Sequence, residues 1–402
     1  MTELLAITNA QILGGGTSLL IEGDQIKGVD LPCPPDARIF DAKGAQVAPG
    51  IVDLGVFSVD KRACIAGGIT RVALMPDQSP VLDEPGIVQR AALAAKPDLW
   101  VHPLAAATKG LQGQELGEVA MMRNTGARAI ATGRQWIADS GVMMKVMAYA
   151  ASLNMTLISH AEDGGLTGNA VATSGEIASR LGLASAPAEA EAMAIARDVL
   201  LAELTGVRLH FRNVTTRRGL DLVRAAKAKG LQVTCGISPT HLFLSEVAIH
   251  DFRTFARLSP PLRAEADRQA CLAAIADGTI DVLCSAHDPR GPEAKRLPFA
   301  DADPGSAGAE TLLALALGLV RDGLIDEARL FDLLAAAPSR LLGLECGHIA
   351  PGAPADLVVY DAGMPWQIDA AKFVGQAGNT PFDKLPVQGR VHATIKGGRV
   401  LS

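Results

Sequence analysis

Cysteine, aromatic residues and positive charge are all scarce in this chain, and each shortage closes off a class of function. The six cysteines (Cys33, Cys64, Cys235, Cys271, Cys284 and Cys346) are scattered, with no C-x-x-C pair. That spacing argues against a disulfide framework or a thiolate zinc cluster and for reduced thiols. Aromatics make up only 4% of the residues, so the core has to be mostly aliphatic. Lys and Arg number 37 against 43 Asp and Glu, a formal net charge of -6. With no basic stripe, nucleic acid and anionic membrane are not expected as partners. No apolar run of about 18 residues is free of polar interruption, so no membrane span is expected. The start, Met1-Thr2-Glu3-Leu4-Leu5-Ala6-Ile7, lacks the basic flank and apolar stretch of a secretion signal. A cytoplasmic location is the expectation.

What the chain does have is length and aliphatic mass. Its 402 residues are 49% hydrophobic, enough for a large core. The first 45 or so residues read as short strands and turns, with Leu4–Asn9 and Ser18–Glu22 broken by Gly14-Gly15-Gly16 and Gly23-Asp24. The C-terminal end reads the same way. Leu357–Tyr360 and Val391–Lys396 are apolar strands, and Gly397-Gly398 turns into Arg399–Leu401. Residues 1–49 and 345–402 are therefore expected to meet as one composite β-sandwich domain.

Between them, residues 50–344 alternate β runs with helical segments. Candidate strands are Val72–Met75, Trp100–Pro103, Ala129–Ala131, Thr156–His160, Arg208–Arg212, Gln232–Gly236 and Asp281–Ser285. Helical stretches such as Glu189–Leu204, Thr216–Ala228 and Ala264–Ala276 separate them. This alternation predicts an α/β fold, a (β/α)8 TIM-like barrel carrying the small β-sandwich. No G-x-G-x-x-G follows the first strand, and no Walker motif is present.

Several segments carry a resemblance. Ala48-Pro49-Gly50-Ile51-Val52-Asp53 is similar to the P-G-x-x-D-x-H-x-H strand of cyclic amidohydrolases. Gly67-Gly68-Ile69-Thr70-Arg71-Val72-Ala73-Leu74-Met75-Pro76 and Ser159-His160-Ala161-Glu162-Asp163 resemble further strands of dihydroorotases. Ordered matches continue through Pro187–Glu191, Pro260-Pro261-Leu262-Arg263, Gly308–Leu312, Pro338–Leu344, Gly352–Val358 and Gly378–Phe382. The chain is thus identified as a dihydroorotase-like member of the amidohydrolase superfamily.

The resemblance implies a metal site at the barrel mouth, where a metal makes hydroxide from water and a base shuttles the proton. Here the positions depart from the pattern. Gly55 and Phe57 stand at the two histidines of the first strand. Ala131 and Thr132 stand where the bridging acid is expected, Asn213 where another histidine is, and Ala286 where the catalytic aspartate is. His160 remains, and one ligand by itself cannot hold a catalytic cation. Val59 stands at a substrate arginine, Asp77 and Ser259 at asparagines, and Arg290 at the last histidine. Between Lys61 and Ala66 the chain is also shorter than the pattern.

The remaining polar groups have plain readings. His160 reads as a hydrogen-bonded barrel histidine, His287-Asp288 as structural because neighbours on a strand face opposite ways, and His241 as packing. Glu162-Asp163 reads as a solvated strand-end pair, and Arg212, Arg217 and Arg218 as a basic cluster by the mouth. The degenerate positions Gly55, Phe57, Asn213 and Ala286 leave no catalytic set, and His160, His287, Asp288 and Arg290 form a vestigial or alternative site. The expectation is a non-catalytic homologue, without metal or cofactor. The resemblance implies for it an oligomeric role as scaffold or partner of aspartate carbamoyltransferase in pyrimidine biosynthesis. Two alternatives stay open: an active cyclic amidohydrolase rebuilt around His160, His287 and Asp288 with one zinc, and a small-molecule-binding regulatory module.

Overall fold

The computed structural model describes residues 3–401. Met1, Thr2 and Ser402, which the sequence reading includes in the leader comparison and the terminal β unit, lie outside the described residues.

The two chain ends build two sheets around one apolar layer. A four-stranded sheet runs in the order Gln25–Val29, Leu19–Glu22, Leu4–Thr8, Arg38–Asp41. Period-two alternation orients it: Ile26 and Gly28 are buried while Gln25 and Lys27 face water. A five-stranded sheet runs Arg399–Leu401, Pro386–Lys396, Leu357–Gln367, Gln46–Pro49, Gln11–Ile12, so it mixes both ends of the chain. Leu5, Ile7, Ile21, Val47, Leu357, Val359 and Ile395 share the core between them. The Gly397-Gly398 turn has φ of 54° and 73°, the left-handed conformation that a two-residue hairpin needs. A Cβ on Gly398 would lie 2.1 Å from the Gly23 carbonyl oxygen, so no other residue fits.

The middle of the chain forms a nearly closed barrel. Its eight parallel strands are Ile51–Val56, Ile69–Leu74, Trp100–Ala106, Ala129–Ala131, Leu157–Ser159, Leu209–Phe211, Val233–Ile237 and Val282–Leu283, neighbours in that order. The first two are buried at every position, the mark of parallel strands covered on both faces. Helices return the chain between strands. Glu189–Thr205 stops at Gly206, whose φ is 69°, and Arg217–Ala228 starts at Thr216, whose side chain accepts from the Gly219 amide. Val52, Leu54, Ala73, Leu104, Ala131, Ile158, Val282 and Cys284 fill the barrel interior, so it is a packed core rather than a pore.

Closure between the last strand and the first rests on Asp53. Its carboxylate accepts from the Ser285 amide at 2.8 Å and from the Ser285 hydroxyl, while the Phe57 amide donates to the His287 carbonyl at 2.9 Å. A second buried cluster ties the barrel to the five-stranded sheet: Arg71 Nε and Lys396 Nζ donate to Asp356 at 2.8 and 2.7 Å. All six cysteines are unpaired, and only Cys33 is exposed. Among the described residues no helix is long and apolar enough to cross a membrane.

Candidate active site

The C-terminal ends of the barrel strands converge on a mouth, and the positions singled out from sequence fall unevenly around it. Gly55 has φ of 90°, and a Cβ there would stand 3.3 Å from Arg212 Cδ. The Phe57 ring lies under two guanidinium groups, Arg134 at 3.7 Å and Arg212 at 4.9 Å from its centroid. An aromatic ring and two cations therefore fill the space that a His-x-His pair would use. Arg212 is only 4% exposed and its Nε has no partner. Burial lowers its pKa.

Phe57, Arg212, Asn213, Ala286 and Asp288 do come together, around a void of about 20 Å³, room for roughly one water. The Asn213 amide lies 3.4 Å from His241 Nδ1, and its Oδ1 is unpartnered. His241 is fixed by Ser238 Oγ at 3.0 Å and by the Pro260 carbonyl at 3.0 Å. Burial pushes it down to about 4, so it packs as a neutral ring. Asp288 holds Arg134 through both oxygens at 2.7 and 2.9 Å and takes a further bond from Arg290 Nη2 at 3.0 Å. Two guanidinium groups thus share the Asp288 carboxylate, and Arg290 also approaches Asp303 at 3.9 Å. His287 turns away from the mouth. Its Nδ1 accepts from the Ala309 amide at 3.3 Å, and its Nε2 lies 3.9 Å from Asp60.

Beside this filled centre lies an open cavity of about 370 Å³, bordered by Arg134, Trp136, His160, Glu162 and Arg257. The His160 amide donates to Thr132 Oγ1 at 3.0 Å, which sets the loop after the fifth strand. His160 Nε2 stands 3.5 Å from Glu162, whose other oxygen accepts from Arg263 Nη2 at 2.7 Å. Burial alone would raise the Glu162 carboxyl, but the His160 hydrogen bond and the Arg263 charge outweigh it and hold it at about 2. An ionised carboxylate beside an imidazole is the arrangement that orients a histidine base and stabilises its protonated form.

Several sequence expectations need correction. Glu162-Asp163 is not a solvated pair: Glu162 is buried against Arg263, while Asp163 caps the short helix Gly164–Thr167 by accepting from the Gly165 and Leu166 amides. Arg212, Arg217 and Arg218 form no cluster, because Arg212 is buried at the mouth and the other two are exposed on a helix start. Asp77 accepts from the Arg134 amide at 2.8 Å and so anchors the loop that carries Arg134. His160, His287 and Asp288 do not converge. Among the described residues no group of three or more His, Cys, Asp or Glu could hold a metal ion. The donor set does not fit the zinc that the resemblance implies.

Arg134, Arg257 and Arg263 were not singled out as site residues from sequence. Arg263 sits in the quoted Pro260-Pro261-Leu262-Arg263 segment, a signal that could have flagged it. Arg134 and Arg257 lie in loops with no local pattern, and only the fold brings them to one cavity.

Comparison with known proteins places this geometry. The dihydro-orotase-like family model matches residues 47–219. A dihydroorotase of Anaeromyxobacter dehalogenans is 37% identical over 92% of this chain and 89% of its own length. One of Syntrophotalea carbinolica is 36% identical over 98% of each chain. Among solved structures, an L-hydantoinase (dihydropyrimidinase) from Arthrobacter aurescens superposes with a TM-score of 0.88 over 100% of this chain and 96% of its own. It is 23% identical, so it speaks for the fold alone. These findings overturn the expectation of a non-catalytic homologue acting as a scaffold, because near full-length relatives carry an enzyme's name and point to an active cyclic amidohydrolase. The physical reason for the error is that His160 was weighed only as a lone metal ligand, whereas it pairs with the buried Glu162 at an open cavity. With relatives at this identity along nearly its whole length, the chain belongs to the dihydroorotase-like family of cyclic amidohydrolases.

Proposed function

We propose that this protein is an active cyclic amidohydrolase that opens, or in reverse closes, the amide bond of a small ring such as dihydroorotate. One observation carries the reading: an imidazole backed by an ionised, buried carboxylate faces a cavity large enough for a single ring. Small-molecule sites span roughly 300–1,000 Å³, so about 370 Å³ suits one ring and little more.

The chemistry follows from the placement. His160 takes a proton from water as its oxygen attacks the ring carbonyl carbon, and Glu162 stabilises the resulting imidazolium. The oxyanion forms beside Arg134, whose guanidinium is held in place by Asp288 and by the face of Phe57. When the carbon–nitrogen bond breaks, the imidazolium returns its proton to the ring nitrogen. Ring amide plus water thus becomes a carboxylic acid and an open-chain amide nitrogen, with His160 restored.

The test is turnover of dihydroorotate, and cyclisation of carbamoyl aspartate, by the purified chain with and without a chelator. Turnover that survives chelation and drops by about 10²–10⁴-fold in His160→Asn is expected. No turnover above background, or turnover only with added zinc, would overturn this reading. A cytoplasmic site of action and association with aspartate carbamoyltransferase, proposed on family resemblance, are checked by fractionation and co-purification.

A further inference from the structure

A second cavity, of about 500 Å³, lies where helices Lys61–Ala66 and Leu312–Arg321 meet the five-stranded sheet, and it shares no lining residue with the mouth. Small-molecule sites span roughly 300–1,000 Å³. Two aromatic rings stand in its wall, Trp366 and Phe373, together with Leu313, Ala314 and Val391. The Trp366 indole is fixed by donating from Nε1 to the Gly389 carbonyl at 2.8 Å. Gly389 has φ of 105°, and a Cβ there would lie 2.4 Å from Leu317 Cδ1. Strand Pro386–Lys396 therefore runs tight against the helix, and the residues after Gly389 line the cavity.

The acids that line this cavity are already committed. Glu310 accepts from the Val374 and Gly375 amides at 3.2 and 3.0 Å, and Asp369 pairs with Lys384 at 2.8 Å and Lys372 at 3.5 Å. Two basic groups are not. Arg390 and His392, exposed at the rim, make no ion pair or side-chain hydrogen bond among the described residues. An aromatic wall with two uncommitted bases at its rim complements a flat ring that carries negative charge.

The same cavity connects to the mouth through short contacts. Gly375 is wedged between two carboxylates: a Cβ there would lie 3.2 Å from Glu310 Oε1 and 2.6 Å from Asp60 Oδ2. Asp60 also accepts from the Gln376 amide, caps helix Lys61–Ala66 and lies 3.9 Å from His287 Nε2. Next to His287 stands Asp288, which holds Arg134 over the Phe57 ring.

We infer that this cavity is an effector site for an aromatic acid, a planar ring bearing a carboxylate or a phosphate. The ring packs against Trp366 and Phe373, and Arg390 and His392 hold the anionic group through charge-assisted hydrogen bonds. A ligand that moves the 373–376 segment acts, through Asp60, on the loop that fixes Arg134. The site is separate from the cavity beside His160 and does not depend on what that cavity hydrolyses.

Calorimetric titration of the full chain with 1-naphthoate, 1-naphthyl phosphate and the uncharged 1-naphthalenemethanol tests the site. At least one acid is expected to bind about ten- to a hundredfold more tightly than the alcohol, and the tighter acid identifies the group that is held. The double variant Arg390→Gln with His392→Asn changes two exposed positions and leaves the core intact. It is expected to bring both acids down to the affinity of the alcohol. Hydrogen exchange then reads the link to the mouth, because saturation with the tighter acid is expected to alter protection of residues 285–288. Equal binding of acids and alcohol would overturn the proposal, as would unchanged acid affinity in the folded double variant. Bound acid with no change of exchange at 285–288 would overturn the effector role. None of these readouts needs turnover, so failure of the hydrolytic reading leaves them standing.

Discussion

A histidine at position 55 would have to adopt a backbone conformation that side chains disfavour and also displace Arg212. Gly55 sits at φ of 90°, and its Cβ direction meets Arg212 Cδ at 3.3 Å. The glycine and the arginine are therefore one structural decision: the small residue makes room for the long one, and Phe57 offers its face to the guanidinium. Gly55→His is expected to cost about 1–3 kcal/mol from backbone strain, before any clash, read as a lowered denaturation midpoint. The double variant Gly55→His with Phe57→His is expected to take up no stoichiometric zinc by metal analysis. Asn213 and Ala286 still supply no charged or imidazole donor to complete a shell. Stoichiometric, activity-linked zinc in that variant would show that the filled centre is a reversible departure.

Arg263 is the residue through which separate elements are joined behind the site. It donates to Glu162 at 2.7 Å, to Thr215 Oγ1 at 2.9 Å and to Thr173 Oγ1 at 3.2 Å. Glu191, on helix Glu189–Thr205, accepts from the Thr215 and Thr216 amides, both at 2.9 Å, and from both hydroxyls. One helix is thereby fixed to the start of another, and the cation keeps two buried carboxylates tolerable. Arg263→Met leaves both without their guanidinium, so a loss of about 3–5 kcal/mol in denaturant unfolding is expected. The acid side of any pH–rate profile should also change, because Glu162 would lose an influence that keeps it at about 2. A stability change near zero would mean that the acids protonate or rehydrate freely, and that the hub is incidental.

Across the whole molecule, buried histidines set the acid limit of stability. His102 and His210 are pushed down to about 3, and His241 and His287 to about 4, each from an ordinary value of 6.5 and each first by burial. Folded chains keep these rings neutral while unfolded chains protonate them. Their contribution is therefore complete above about pH 6.5 and is lost as pH falls toward 4 and then 3. Each ring adds a slope of about 1.4 kcal/mol per pH unit in that window. Asp53 works the other way. Burial raises it to about 6 against the bonds from Ser285, so its contribution is complete below about pH 4 and fades as pH rises through 6. Asp198, Asp281, Glu310 and Glu246 are raised by burial in the same way, but the four rings, joined by Glu162 and Glu265 held at about 2, give a net fall on acidification, and urea midpoints measured from about pH 7 to about pH 4.5 should drop. A flat profile would show that the rings are charged in the fold.

The order of β and α segments, the aliphatic core and the two strand-rich ends follow from periodicity and composition, which are local properties of a chain. So do the strand motif around Asp53 and the vacancy at Gly55, Phe57, Asn213 and Ala286, since a missing donor atom is visible in the residue itself. What replaced those donors is not local. Arg134, Arg212 and Arg257 come from three separate loops, and a pairing such as Arg263 with Glu162 spans 101 residues. Only closure of the barrel decides which cations lie over Phe57, and that His160 faces open space while His287 does not. Charge and hydrogen-bond partners act through distance, and distance between remote residues exists only once the chain has folded.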